Sequence, residues 1–150
     1  MRKFLLPMLG LVGLSACAAV DPYASYSGKV SPAAASAVSD DVAGYVVTVI
    51  PPGHSTIWVR PSRDAKSMTG LVLENALRRR GFAVAPDDAG RPVGAHELRY
   101  LIEPDGQGAT ARIVLDGRTV SRWYGIDQSG HVVPAGPFTV FDVMTGAGNG

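Results

Sequence analysis

Apolar positions recur at helical spacing in the middle of this 150-residue chain and alternate with polar ones along most of its second half. Met68, Leu71, Val72, Ala76 and Leu77 share one face at a 3.6-residue period, which predicts a helix from Ala65 to Arg80. Glu74 and Arg78 form an i, i+4 pair in the favoured order. Arg78, Arg79 and Arg80 oppose the negative dipole end, and Gly81 suits the left-handed position just past it. An earlier helix is expected to begin at Ser39-Asp40-Asp41, with a capping side chain and acids near the positive dipole end. It should stop before Pro51-Pro52. Its β-branched run "VAGYVVTVI" suits a strand equally well, and the helix is the reading taken.

Short strands are predicted at "STIWV" (55–59) and "FAVA" (82–85), with "DDAGRPVGA" as a loop. In "HELRYLIEP", Leu98, Tyr100 and Ile102 fall on one face, and Arg99 and Leu101 on the other. "TARIVLDGRTVSRWYGI" reads as two alternating segments joined at Asp116-Gly117, a common hairpin turn. Two-residue and three-residue loops give different pairings, so the register stays open. "HVVPAGPFTVFDV" adds one or two strands broken by Pro134 and Pro137. The order predicts an α+β fold: one small domain over residues 39–143, two helices packed on a mainly antiparallel sheet, then a flexible tail over 144–150.

The first apolar run has a different meaning. Arg2 and Lys3 precede an apolar core, Phe4 to Leu14, too short to span a bilayer as a helix of roughly 20 residues. This is the layout of a secretory signal peptide, residues 1–16. Leu14-Ser15-Ala16-Cys17 then matches the bacterial lipobox, and Cys17 is the chain's only cysteine. The match implies a diacylglycerol on the Cys17 thiol, cleavage just before it, and acylation of the new amino terminus. The bland alternative is cleavage near Ala19 with an inert thiol left upstream. Ala18 lacks the Asp that tends to retain Gram-negative lipoproteins in the inner membrane, so the same likeness implies the periplasmic leaflet of the outer membrane. Residues 17–38, small and alanine-rich, are expected to form a lipid-anchored tether. Tyr23 and Tyr26 within it read either as docking aromatics or as solvated ones.

Composition narrows the chemistry. Cleavage before Cys17 removes Arg2 and Lys3, leaving 12 basic against 13 acidic residues. That balance gives no electrostatic footprint for nucleic acid and no polybasic aid to membrane binding. With one cysteine there is no thiol-based zinc, disulfide or redox site. His54, His96 and His131 lie beside turn-rich stretches without metal-site spacing, and read as solvated loop residues. Glu97 and Glu103, six apart on one strand, sit roughly 20 Å from each other, too far for a glycosidase pair. No catalytic set, cofactor site or metal site is expected, and the chain reads as a non-enzyme.

Candidate partner contacts are Arg122, Trp123 and Tyr124, since aromatics and arginine are enriched at binding hot spots. Arg78, Arg79 and Arg80 form a second candidate, against the plainer reading of dipole complementarity. The lipobox, "PPGHSTIWV", "LENALRRRGFAV", "ELRYLIEP" and "ARIVLDGRTVSRWYG", in that order, resemble the conjugal transfer lipoprotein family TrbH. The resemblance implies an outer-membrane-anchored scaffold in the mating-pair formation apparatus, a type IV secretion system that moves plasmid DNA. Its partners would be the membrane, through the lipid, and other subunits of the core complex. Only Cys17 carries over with a stated role. The alternative is a stand-alone envelope lipoprotein that binds a small ligand or cell-wall glycan.

Overall fold

The computed structural model describes residues 23–64, 67–88 and 90–141. The expected signal peptide, Cys17 and the tail over 144–150 lie outside the described residues. A two-residue strand, β1 (Tyr26–Ser27), leads into an 18-residue helix, α1 (Pro32–Val49). The helix starts not at Ser39 but at Ser31, whose hydroxyl accepts the Ala34 N–H at 3.1 Å, with Pro32 in the first turn. Residues 32–38, expected as tether, are therefore helical. Ala34, Ala35, Val38, Val42 and Val46 supply its buried stripe, and burying that stripe overrides the β-preference of "VVTV".

Strand β2 (Thr56–Val59), helix α2 (Thr69–Arg79) and strand β3 (Ala83–Ala85) form a parallel unit in which Ile57 pairs with Val84. The helix is shorter than 65–80, and its buried face is Thr69, Leu73, Ala76 and Leu77. Met68 and Leu71, expected on that face, are exposed. The difference is a rotation of the stripe. Val72, Leu73, Ala76 and Leu77 are contiguous on the helix, and docking favours the Leu73 side because the Thr69 hydroxyl meets Ser27 at 3.0 Å. Gly81, at φ 90°, ends the helix as expected: its N–H bonds the Arg78 carbonyl and the Phe82 N–H bonds that of Leu77.

Strands β4 (His96–Asp105), β5 (Gly108–Leu115) and β6 (Arg118–Ile126) form an antiparallel meander. Leu115 pairs with Arg118, and Asp116 (φ 49°) and Gly117 (φ 84°) make the two-residue turn, which settles the register. The outer edge of β4 is shared end to end by β2 and β1, both parallel to it. The outer edge of β6 is shared by β7 (Val132–Pro134) and β8 (Thr139–Phe141), both antiparallel. The two helices pack on one face of this sheet, an α+β domain. Leu98, Tyr100 and Ile102 of β4, Ile113 of β5 and Val120 of β6 meet Val42, Val46 and Leu77 in a single core. Each such large apolar side chain contributes about 1.5–3 kcal/mol by burial. Among the described residues, the opposite face carries no helix.

Candidate interaction surface

Alternation along β6 sends the three residues Arg122, Trp123 and Tyr124 to different places. Tyr124 points under α1 and is fully buried. Its hydroxyl donates to the Asp41 carboxylate at 2.7 Å. Burial raises its pKa, and the hydrogen bond to Asp41 and that carboxylate's charge raise it further. Tyr124 is thus a core residue, not a partner contact. Arg122, on the same side, donates to both oxygens of Asp41 at 2.9 Å and to the Gly136 carbonyl at 2.6 Å. Its guanidinium lies 4.7 Å from the Phe138 ring centroid, and Phe138 in turn packs on Tyr45. Arg122 is therefore committed inside the fold as well, because its strand position faces α1 and finds an acid there.

Trp123 alone of the three faces outward. It is 40% exposed and its ring covers the backbone of Gly125. The indole N–H donates to Asp105 at 3.1 Å. The Gln107 amide, then this indole, hold the Asp105 carboxyl below the usual carboxylate range. The arginine triplet is exposed but also used: Arg78 bonds Glu74 at 3.0 Å, and Arg79 reaches Asp40 on α1 at 2.6 Å. Arg80 donates to the Asp40 carbonyl at 3.4 Å. Arg79 and Arg80 join the carboxyl end of α2 to α1, while Arg78 pairs within α2, so the acids expected as dipole partners of α1 serve its neighbours instead.

The helix-free face around Trp123 is richer than the sequence suggested. Register places Thr110 beside Trp123, Leu101 beside both Arg112 and Tyr26, and Val114 beside both Arg99 and Thr119. Arg112 is exposed, while Leu101 and Val114 are half-buried. At one end Arg60 lies 5.8 Å from the Trp58 ring and 5.9 Å from that of Tyr23, and Arg63 lies 5.4 Å from Tyr26. Tyr23 and Tyr26 are thus part of the domain surface. Glu97 on this face bonds Arg60 at 2.7 Å and Arg91 at 3.1 Å, so it is not a lone solvated carboxylate. Aromatic side chains interleaved with arginine are the composition of protein contact surfaces. Period-2 alternation could have identified Leu101, Arg112 and Val114 as one face. Their meeting with Tyr23, Tyr26 and Trp58 comes from parallel pairings that no local pattern encodes.

His54 is exposed in its turn, His131 lies 3.6 Å from Asp127, and His96 bonds Asp116 of the hairpin turn at 2.6 Å. Among the described residues no group of three or more His, Cys, Asp or Glu could hold a metal ion. No helix among them is long and apolar enough to cross a membrane. No curated protein and no solved structure matches the chain. A family model, that of conjugal transfer protein TrbH, matches residues 20–143, which takes in every element of the domain. The chain with this two-helix, mainly antiparallel domain belongs to the TrbH family of conjugal transfer proteins.

Proposed function

We propose that this protein is a lipid-anchored, non-catalytic subunit of the mating-pair formation apparatus, held at the periplasmic face of the outer membrane through Cys17. It works by contact, supporting other subunits of the type IV secretion core complex during plasmid transfer. Family membership supports the process, and the complete Leu-Ser-Ala-Cys motif supports the anchor. The observation that carries the contact role is the helix-free face, where Trp123, Tyr26 and Tyr23 stand exposed among Arg112, Arg60 and Arg63. It is not a nucleic-acid surface in this reading, since the mature chain is close to neutral.

The test is recovery of partner subunits from membranes of cells carrying the intact transfer operon. Trp123→Ala and Arg112→Glu change this face without entering the core. Each is expected to cut partner recovery and mating frequency about tenfold or more, while circular dichroism and melting stay close to wild type. Wild-type recovery and mating in the double variant would overturn the contact role.

A further inference from the structure

The chain enters the domain on the helix-free face of the sheet. Tyr23, the first described residue, lies against Arg60. With Arg60, Arg99, Val114 and Thr119 it walls a cleft of about 380 Å³ beside the β5–β6 turn at Gly117. Register puts Arg99, Val114 and Thr119 on that face, and Tyr26 joins them by pairing with Leu101. Little of the expected tether remains, because β1 begins at Tyr26 and α1 at Pro32. Tyr23 stands six residues after Cys17, a stretch that reaches at most about 22 Å fully extended. That is less than the length of β4, whose 10 residues rise about 33 Å. A domain anchored at Cys17 therefore cannot stand off the bilayer. To lay its helices on the lipid, the tether would spend its reach going round the edge of the sheet.

Charge is sorted along the same face, although the chain as a whole is close to neutral. Around the point of entry stand Arg60, Arg63, Arg91 and Arg99. The acids nearby are engaged: Glu97 bonds both Arg60 and Arg91, and Asp116 bonds His96. Asp64 lies by the start of α2. Glu103 and Asp105 sit at the other end of the face, near Trp123. Tyr23 and Tyr26, both exposed, interleave with the arginines of the entry end. Tyrosine settles at headgroup depth in a membrane, and arginines beside it are drawn to anionic lipid. A protein could meet the same side chains, but a short tether makes the lipid surface their constant neighbour at high effective concentration.

We propose that the entry end of this face docks on anionic phospholipid headgroups, its guanidiniums donating to phosphates and Tyr23 and Tyr26 lying at the headgroup boundary. The proposal rests on the Cys17 anchor of the proposed function. It deepens that reading, since docking this end turns the Trp123 end, with its acids, toward the partner subunits.

Full-length protein purified from membranes is reconstituted into vesicles of phosphatidylethanolamine and phosphatidylglycerol that carry a nitroxide on some headgroups. Acylation occupies Cys17, so a fluorophore goes only to a thiol introduced by Thr119→Cys on this face or by Asn75→Cys on exposed α2 surface. Headgroup quenching is expected to be at least about twofold stronger at Thr119→Cys than at Asn75→Cys, and about 1 M salt should bring the two together. Arg63→Glu combined with Arg91→Glu, both exposed and outside the strands, should remove the bias at low salt. Equal quenching at the two sites, stronger quenching at Asn75→Cys, or a bias that survives both salt and the charge-reversed variant overturns the proposal. A bias that appears only when other transfer subunits are added makes this end a protein contact and overturns it too. So does shielding that grows with protein concentration in micelles, the mark of a second copy. Flotation with the vesicles and the mass of the Cys17 peptide read the anchor separately. Protein that floats without orientation ends the docking alone, and protein that does not float ends the anchor and the docking with it.

Discussion

The carboxylate of Asp41 on α1 accepts the hydroxyl of Tyr124 on β6 at 2.7 Å, joining positions 83 residues apart. The same carboxylate takes two hydrogen bonds from Arg122 at 2.9 Å. One acid thus fastens the first helix to the last long strand.

Tyr124→Phe keeps the ring and removes only that hydrogen bond. Because the acceptor is charged, the cost should be about 2 kcal/mol. Tyr124→Ala empties the site as well and should cost about 3–5 kcal/mol. Urea unfolding measures both, and a Tyr124→Ala domain as stable as wild type would remove Tyr124 from the core.

Asp41→Ala leaves Arg122 and Tyr124 without their shared acceptor in a largely buried setting, and should cost about 3 kcal/mol. Arg79→Ala breaks an ion pair of similar length, but one that is exposed. Its expected cost is about 0–1 kcal/mol. Comparing the two denaturation midpoints tests whether burial, rather than distance, sets the value of these pairs.

Alkaline pH should act through the buried tyrosines. Burial raises the pKa of both Tyr100 and Tyr124, while an unfolded tyrosine ionises near ~10. Above that pH the unfolded chain has released protons that the folded chain keeps, so stability falls as pH rises; below it both states hold them and nothing changes. Each tyrosine adds to that fall at pH values above its unfolded pKa and below its folded one. Urea midpoints measured from about pH 9 to about pH 11.5 should therefore fall less steeply for Tyr124→Phe. Identical slopes would show that Tyr124 ionises freely in the folded protein.

Gly108 opens β5 where the Tyr124 carbonyl of β6 presses against it, and an added Cβ would overlap that oxygen. Gly108→Ala should cost about 3 kcal/mol by forcing the strands apart. Gly106, two residues away in the β4–β5 turn, has nothing within 4 Å of such a Cβ. Gly106→Ala should be close to neutral, within about 0.5 kcal/mol. Thermal melts of the pair distinguish strand contact from a general intolerance of this turn.

Cys17→Ser should abolish lipidation and release the protein from the outer-membrane fraction, because that thiol is the chain's only acceptor. Several acyl chains anchor stably where one holds only marginally. Metabolic labelling with a palmitate analogue is expected to mark wild type and not the variant. Equal labelling of both would end the lipoprotein reading.

The sequence by itself determined the elements whose signals are local. The Asp116-Gly117 turn, the Gly81 helix end and the buried alternation of Leu98, Tyr100 and Ile102 need only neighbours in the chain, since periods of 2 and 3.6 and a positive φ are local properties. The family, too, was legible from motif order, and the match over residues 20–143 bears it out. The start of α1 was written locally at Ser31-Pro32, but the acids at Asp40-Asp41 imitated a second start. Only the tertiary structure decided which residues face a partner. Tyr124 and Trp123 are adjacent in sequence and equally aromatic, yet alternation puts one against Asp41 and the other in solvent. Which side of β6 is covered depends on where α1 docks, and the acceptor that Tyr124 then meets lies 83 residues away. Burial of that kind belongs to the packed whole, because no short stretch contains both the buried group and what covers it.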